Sequence, residues 1–173
     1  ESHNATSKII RPPGSTGGHG QKDSMKGRDP QLPIMMNYET YADHDSTYNT
    51  PPVFGIYLVD LMSQWLLDQG GLEKVEQRNI AKARMVYDVL DAHPDFYKGH
   101  AQKDSRSLMN VTFNLPTKDL EAQFVEESKA QGLAGLKGHR AVGGIRASIY
   151  NAMPLEGVQA LVDFMEDFWK KNR

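Results

Sequence analysis

The residues best suited to chemistry are three cations or donors between glycines, Lys137-Gly138-His139-Arg140. Glycine lets backbone N–H groups approach an anion closely, and an arginine guanidinium can form paired hydrogen bonds with a carboxylate or phosphate. An anion site is one interpretation. A solvated basic loop is the other, and composition and spacing alone favour it because exposed charged loops are common. His139 by itself is more typical of a surface or hydrogen-bonded histidine.

A second candidate is Arg146, which lies in an apolar alternating segment beside Ile145 and Ala147. A cation in such a segment needs an anionic partner, because burying an unpaired charge is costly. The residue pattern leaves two partners equally open, a substrate carboxylate and an Asp or Glu of the protein itself.

A third candidate is Asn49-Thr50, which precedes Pro51-Pro52 and the predicted start of a helix. An amide, a hydroxyl and helix N-terminal N–H groups could together bind a phosphate. An ordinary helix cap and turn is the commoner use of such residues.

Composition excludes several other kinds of site. The chain has no cysteine, and its 6 histidines show no ligand spacing on a shared helix face, so we expect no disulfide, thiolate catalysis or metal site. The formal net charge of -2 gives no basic field for nucleic acid or anionic lipid. We find no apolar run near the roughly 20 residues of a membrane span. We therefore expect a cytoplasmic protein that has no nucleic-acid or membrane partners.

Hydrophobic periodicity predicts the elements that position these residues. A helix is predicted from Pro52 to Gln69, with Phe54 and Leu61 on its apolar side, and a second from residue 72 until just before Pro94, with Lys82 on its polar side. Period-two alternation predicts strands at 109–115 and 145–150. The other predicted elements are a helix capped by Thr117 and ended by Gly132, a glycine-punctuated loop over 135–144, and a helix starting at Pro154.

This order of elements predicts an α/β fold in which helices cover one face of a small sheet. Residues 1–30 are rich in glycine and proline and contain one adjacent apolar pair, Ile9-Ile10. We interpret 1–30 as an unstructured or artificially added leader, and 31–173 as one domain.

Three sequence blocks together resemble the phosphoserine aminotransferases. These blocks are Tyr48-Asn49-Thr50-Pro51-Pro52, Ser105-Arg106-Ser107-Leu108-Met109-Asn110-Val111, and the long run from Lys137 to Gly157, KGHRAVGGIRASIYNAMPLEG. The resemblance extends from about Gln21 to Arg173, and it is to the C-terminal portion of that family.

The resemblance implies the small C-terminal domain of a fold type I, class V aminotransferase that uses pyridoxal phosphate. Such enzymes transfer the amino group of glutamate to 3-phosphohydroxypyruvate in serine biosynthesis, and in some bacteria they also act in pyridoxine (vitamin B6) biosynthesis. They are homodimers with active sites at the subunit interface. By resemblance, Asn49 and Thr50 contact the cofactor phosphate of the neighbouring subunit, His139 and Arg140 the distal substrate group, and Arg146 the substrate α-carboxylate.

The chain departs from the family at the lysine that carries the cofactor. Gln21-Lys22-Asp23 superficially echoes the lysine motif, but neither Gly-Pro nor a buried strand follows it. We assign Lys22 to the segment after that strand, so no catalytic residue is assigned. We expect this chain alone neither to hold pyridoxal phosphate covalently nor to transaminate. The alternative function is a non-catalytic domain that keeps an anion-binding loop or a dimerisation surface.

Overall fold

The structure is a computed structural model that describes residues 31–139 and 143–173. The described residues form two compact units, one ending at Trp65 and the other comprising Leu66–Arg173. The predicted leader over 1–30 lies outside the described residues. The assignment of 31–173 to one domain stays a prediction.

The first unit consists of a short 3-10 turn, Ile34–Met36, and two helices, α1 (Tyr38–Asp43) and α2 (Val53–Asp68). The side chain of Asn37 caps α1 by accepting a hydrogen bond from the backbone N–H of Glu39 at 3.1 Å. The predicted Pro52 helix is confirmed as α2, and the last residues of α2 belong to the second unit.

Three further helices belong to the second unit: α3 (Gly71–Ala92), α4 (Lys118–Ala130) and α5 (Leu155–Asn172). The predicted cap of α4 is confirmed, because Thr117 Oγ1 accepts a hydrogen bond from the backbone N–H of Leu120 at 3.2 Å. The prediction that Lys82 lies on the polar side of α3 is wrong. Its side chain is buried, because the backbone carbonyls of Ile149, Tyr150 and Met153, just before α5, surround its ammonium group.

The sheet of the second unit contains β1 (Lys98–Gly99), β2 (Asn110–Asn114), β3 (Lys137–His139) and β4 (Gly143–Ser148). The strands are antiparallel and their spatial order is β1-β2-β4-β3. The prediction of a loop from Gly135 to Gly144 is wrong over β3. A three-residue strand between glycines shows no alternation, yet its backbone pairs with the edge of β4.

Helices cover one face of this sheet, as predicted. Val111 and Phe113 of β2 lie opposite Ala147 and Ile145 of β4, and all four side chains are buried. Aromatic rings from α4 and α5 pack in the same core, with the Phe124 ring 4.9 Å from that of Phe164 and 5.1 Å from that of Phe168. Alternation then places the intervening residues of both strands on the opposite, polar face.

Candidate functional site

The candidate site is the polar face of the sheet. The strand register places Thr112 of β2 directly opposite Arg146 of β4, and Asn110 opposite Ser148. Ser148 Oγ donates a hydrogen bond to Asn110 Oδ1 at 3.0 Å, and the Tyr150 hydroxyl donates to the same oxygen at 3.3 Å. Arg146 is therefore surrounded on the sheet by short polar side chains that carry no charge.

Arg146 is half-buried, and no partner for its charge lies among the residues that the structure describes. Its Nε atom is buried and forms no hydrogen bond within residues 31–139 and 143–173. No carboxylate among those residues forms an ion pair with it. The sequence left two partners open, a substrate carboxylate and an Asp or Glu of the protein itself. Because no carboxylate among the described residues pairs with Arg146, an external anion is favoured.

Arg106 does have an internal partner for its charge, although its Nε atom is buried without a hydrogen bond among the described residues, like that of Arg146. Arg106 donates to Asp91 Oδ2 at 2.9 Å, and its guanidinium carbon lies 4.4 Å from the centre of the Tyr87 ring. The hydrogen bond from Arg106 lowers the pKa of the Asp91 carboxyl below its ordinary value. Arg106 is thus a structural cation, and the contrast identifies Arg146 as the better candidate for ligand binding.

The predicted anion loop begins within β3, the edge strand that pairs with the strand carrying Arg146. The backbone of His139 pairs with that of Gly143, and the backbone N–H of Arg146 donates to the Leu136 carbonyl at 2.8 Å. The His139 side chain and all of Arg140 lie outside the described residues. Their predicted contacts with a distal substrate group stay predictions.

A polar network beside this hairpin was not foreseen from the sequence. Asn114 Nδ2 donates to Glu121 Oε1 at 2.6 Å, Lys118 Nζ lies 2.9 Å from Glu121 Oε2, and His100 Nε2 bonds to Asn114 Oδ1. Burial acts to raise the pKa of Glu121, but the hydrogen bonds from Asn114 and Lys118 outweigh it, so the pKa is lowered. The sequence signal was an amide at the end of β2 followed by an acidic first turn in α4.

This network explains why residue 144 must be glycine. A Cβ atom at Gly144 would lie 2.8 Å from Asn114 Nδ2 and 2.8 Å from the Phe113 carbonyl oxygen, and the φ angle is +70°. A side chain would meet both the close contact and the unfavourable backbone region. The base of the hairpin is therefore fixed by close packing of Gly144 on Asn114.

Asn49 and Thr50 belong to the first unit, just before α2, and both are exposed. Asn49 Nδ2 donates to the carbonyl of Thr50 at 3.2 Å, and the Thr50 hydroxyl forms no hydrogen bond within the described part of the chain. A free hydroxyl and an amide near a helix N-terminus fit the acceptor oxygens of a phosphate group. The chemistry of these donors is compatible with the cofactor phosphate that the resemblance assigns to them.

No cluster of metal-ligating side chains is present among the described residues. None of the helices in this part of the chain is long and apolar enough to cross a membrane.

Residues 27–161 match the family model described as Aminotransferase class-V. The chain belongs to the class-V aminotransferase family, which confirms the resemblance.

Within that family its relatives are phosphoserine aminotransferases. It is 49% identical to the enzyme of Halalkalibacterium halodurans over 96% of this chain and 46% of that one. It is 56% identical to the enzyme of Desulfosudis oleivorans over 88% of this chain and 42% of that one.

Solved structures agree with the curated relatives. The phosphoserine aminotransferase of Bacillus circulans subsp. alkalophilus superposes with a TM-score of 0.82 at 49% identity, covering 88% of this chain and 42% of that one. The PLP-bound enzyme of Trichomonas vaginalis gives a TM-score of 0.72 at 38% identity, covering 80% and 39%. The chain thus spans less than half the length of the relatives it matches.

Proposed function

We propose that this chain is the substrate-anchoring part of a phosphoserine aminotransferase, which converts 3-phosphohydroxypyruvate and glutamate into O-phosphoserine and 2-oxoglutarate. Support comes from family membership and from relatives of that name at about half identity. The role belongs to serine biosynthesis, and we infer a homodimer in the cytoplasm.

The observation that carries the proposal is the guanidinium of Arg146 on the polar face of the sheet, whose buried Nε atom has no hydrogen-bond partner among the described residues. All four reactants carry an α-carboxylate, and a planar guanidinium binds a carboxylate through two parallel hydrogen bonds. We assign Arg146 to that carboxylate.

The other end of each substrate is also anionic. It is a phosphate in 3-phosphohydroxypyruvate and O-phosphoserine, and a second carboxylate in glutamate and 2-oxoglutarate. We assign this distal group to His139 and Arg140; His139 lies in β3, which pairs with the strand that carries Arg146. Two separated cationic anchors fix the orientation of a short dianion, which aligns its α-carbon for proton loss.

We infer that Asn49 and Thr50 bind the phosphate of pyridoxal phosphate held by the neighbouring subunit. This cofactor, when bound, withdraws electrons from the substrate's α-carbon, and the protein supplies orientation. The residues named here bind and orient, and none of them is assigned the proton transfer.

The test is kinetic and uses a chimera in which this chain replaces the matching segment of the Halalkalibacterium halodurans relative. Arg146→Ala should lower kcat/KM about ten- to a hundredfold for both phosphohydroxypyruvate and unphosphorylated hydroxypyruvate, because both carry the α-carboxylate. Arg140→Ala should lower kcat/KM by a similar factor for the phosphorylated substrate only.

Arg84→Ala is the matched control, since Arg84 is an exposed arginine on α3 to which no binding role is assigned. It should leave both rates unchanged. Equal losses on both substrates for Arg140→Ala would remove the hairpin from phosphate binding, and an unaffected Arg146→Ala chimera would remove the proposal itself.

A further inference from the structure

The side chain of Asn110 presents a carboxamide whose orientation is fixed on the polar face of the sheet. Its Oδ1 atom accepts hydrogen bonds from Ser148 Oγ at 3.0 Å and from the Tyr150 hydroxyl at 3.3 Å. An amide oxygen has two lone pairs, so the two hydroxyls satisfy this acceptor fully. The Nδ2 atom lies on the other side of the carboxamide and donates to none of the described residues. Asn110 therefore offers N–H donors to a ligand.

Asn110 and Arg146 are diagonal neighbours on this face. The strand register pairs Asn110 with Ser148 and Thr112 with Arg146, and residues two apart along a strand lie on the same face. Diagonal neighbours of an antiparallel pair are about 7–8 Å apart, which is within reach of a long side chain. The amide of Asn110 and the guanidinium of Arg146 can therefore bind the same group.

A carboxylate is the group that suits this pair of donors. Its two oxygens offer about four acceptor sites, and a guanidinium that binds through two parallel hydrogen bonds uses only two of them. An amide N–H can occupy a third site. The same N–H would reject a carboxamide of equal shape, because two N–H donors would then face each other.

We propose that Asn110 is a second residue that binds the substrate α-carboxylate, beside Arg146, and that Ser148 and Tyr150 are positioning residues that hold its amide in the donating orientation. The proposal deepens the proposed function, because it rests on the assignment of Arg146 to that carboxylate. The competing explanation is structural: the two hydroxyls would only tie residues 148–150 to β2.

The test measures discrimination between a carboxylate and a carboxamide by the Halalkalibacterium chimera described above. Glutamate is the substrate, and isoglutamine, its α-carboxamide, is the competitor. Asn110→Asp keeps the shape of the side chain but replaces the N–H donor with an acceptor. Glutamate then meets a like charge, whereas isoglutamine can donate to the introduced carboxylate. The ratio of the isoglutamine inhibition constant to the glutamate KM should fall about ten- to a hundredfold.

Tyr150→Phe tests the positioning role, because it removes one exposed hydroxyl and keeps the ring. The released amide can turn and accept from a carboxamide, so the same ratio should fall about three- to tenfold. In an Asn110→Ala background, Tyr150→Phe should have no further effect on the glutamate KM, since the hydroxyl acts only through Asn110. Thr112→Val is the matched control on the same face, and it should leave the ratio unchanged.

Equal weakening of glutamate and isoglutamine binding in both variants would leave Asn110 a structural role and overturn the proposal. An equal effect of Tyr150→Phe with and without Asn110 would overturn the positioning role. If Asn110→Asp does not fold, the ratio measured for Tyr150→Phe decides.

The two proposals can fail separately. A chimera that loses activity on Arg146→Ala but keeps its ratio on Asn110→Asp would remove only the assignment of Asn110. A chimera that does not transaminate, or that is unaffected by Arg146→Ala, would remove the proposed function and this assignment with it.

Discussion

Replacing Lys82 with methionine should destabilise the second unit strongly. Lys82 is 2% exposed, and its Nζ atom donates to the carbonyls of Ile149 at 3.3 Å, Tyr150 at 2.6 Å and Met153 at 3.1 Å. These carbonyls belong to the turn between β4 and α5. Methionine preserves the length of the side chain but removes every donor, so the turn loses the group that holds it to α3.

The magnitude follows from two opposing effects. A hydrogen bond to a charged group contributes about 1.5–3 kcal/mol, but three bonds that share one ammonium are not additive. The substitution also removes the cost of burying the ammonium, a cost visible in the lowered pKa of Lys82. We expect a net loss of roughly 2–4 kcal/mol, which lowers the melting midpoint by on the order of 5–15 °C.

Urea unfolding measured across alkaline pH adds a second signature. Burial first, and then the charge of Arg78, lowers the pKa of Lys82 in the folded state. Between that pKa and the value of about 10.4 in the unfolded chain, the unfolded state binds more protons, so this group makes the free energy of unfolding rise with pH. The Lys82→Met variant lacks this contribution, so its difference from the native chain should widen through that window.

The control is Lys129→Met on the exposed side of α4, which should change stability by less than about 0.5 kcal/mol. A loss of that small size for Lys82→Met, or identical alkaline slopes for the two chains, would refute the role assigned to Lys82.

Three further substitutions test the second unit. Leu161→Asp should abolish the cooperative melt seen by circular dichroism, because it places a charge in the buried face of α5; an unshifted melt would contradict this. Glu121→Gln should weaken the loss of stability at acid pH. The lowered pKa of the Glu121 carboxyl stabilises the fold above the carboxyl's pKa in the unfolded chain, and this contribution is lost as pH falls through the pKa in the folded state. An unchanged dependence of stability on acid pH would count against the network. Gly144→Ala should lower the free energy of unfolding in urea by roughly 2–4 kcal/mol. Gly132→Ala should lower it by about 1 kcal/mol, because Gly132 has a positive φ but open space around it. Equal losses for the two variants would exclude the contact with Asn114.

Helices α2 to α5 and the central strands could be predicted from the sequence because their signals are periodic, whereas the six-residue helix α1 was not predicted. In α5, Val158, Leu161, Met165 and Phe168 recur at helical spacing, and all four are buried. In β2 the alternating burial of Val111 and Phe113 follows the period of two that the sequence shows. Both patterns are local, so no knowledge of packing partners was needed.

Elements that depend on a partner could not be predicted in this way. Strand β3 has three residues, and its pairing is defined by β4 rather than by its own composition. Lys82 was placed on a polar side because lysine is ordinarily exposed, and only the β4–α5 turn supplies the carbonyls that make its burial tolerable. Tertiary contacts overrode the local preference in both cases.

At the candidate site, the alternating pattern of a half-buried strand conflicts with the residue type at position 146, and this conflict indicates a role in binding. Residues 145–149 alternate as a half-buried strand, yet position 146 holds a cation where a short uncharged side chain would pack without cost. The register leaves no freedom to move it, because a slip of one residue would expose Ile145 and Ala147 and bury Arg146 among Phe113 and Val111. A guanidinium that is fixed by the sheet but unpaired within the described residues lowers the stability of the fold that holds it. Such a cost is expected at a position retained for binding, and an anionic ligand would offset it.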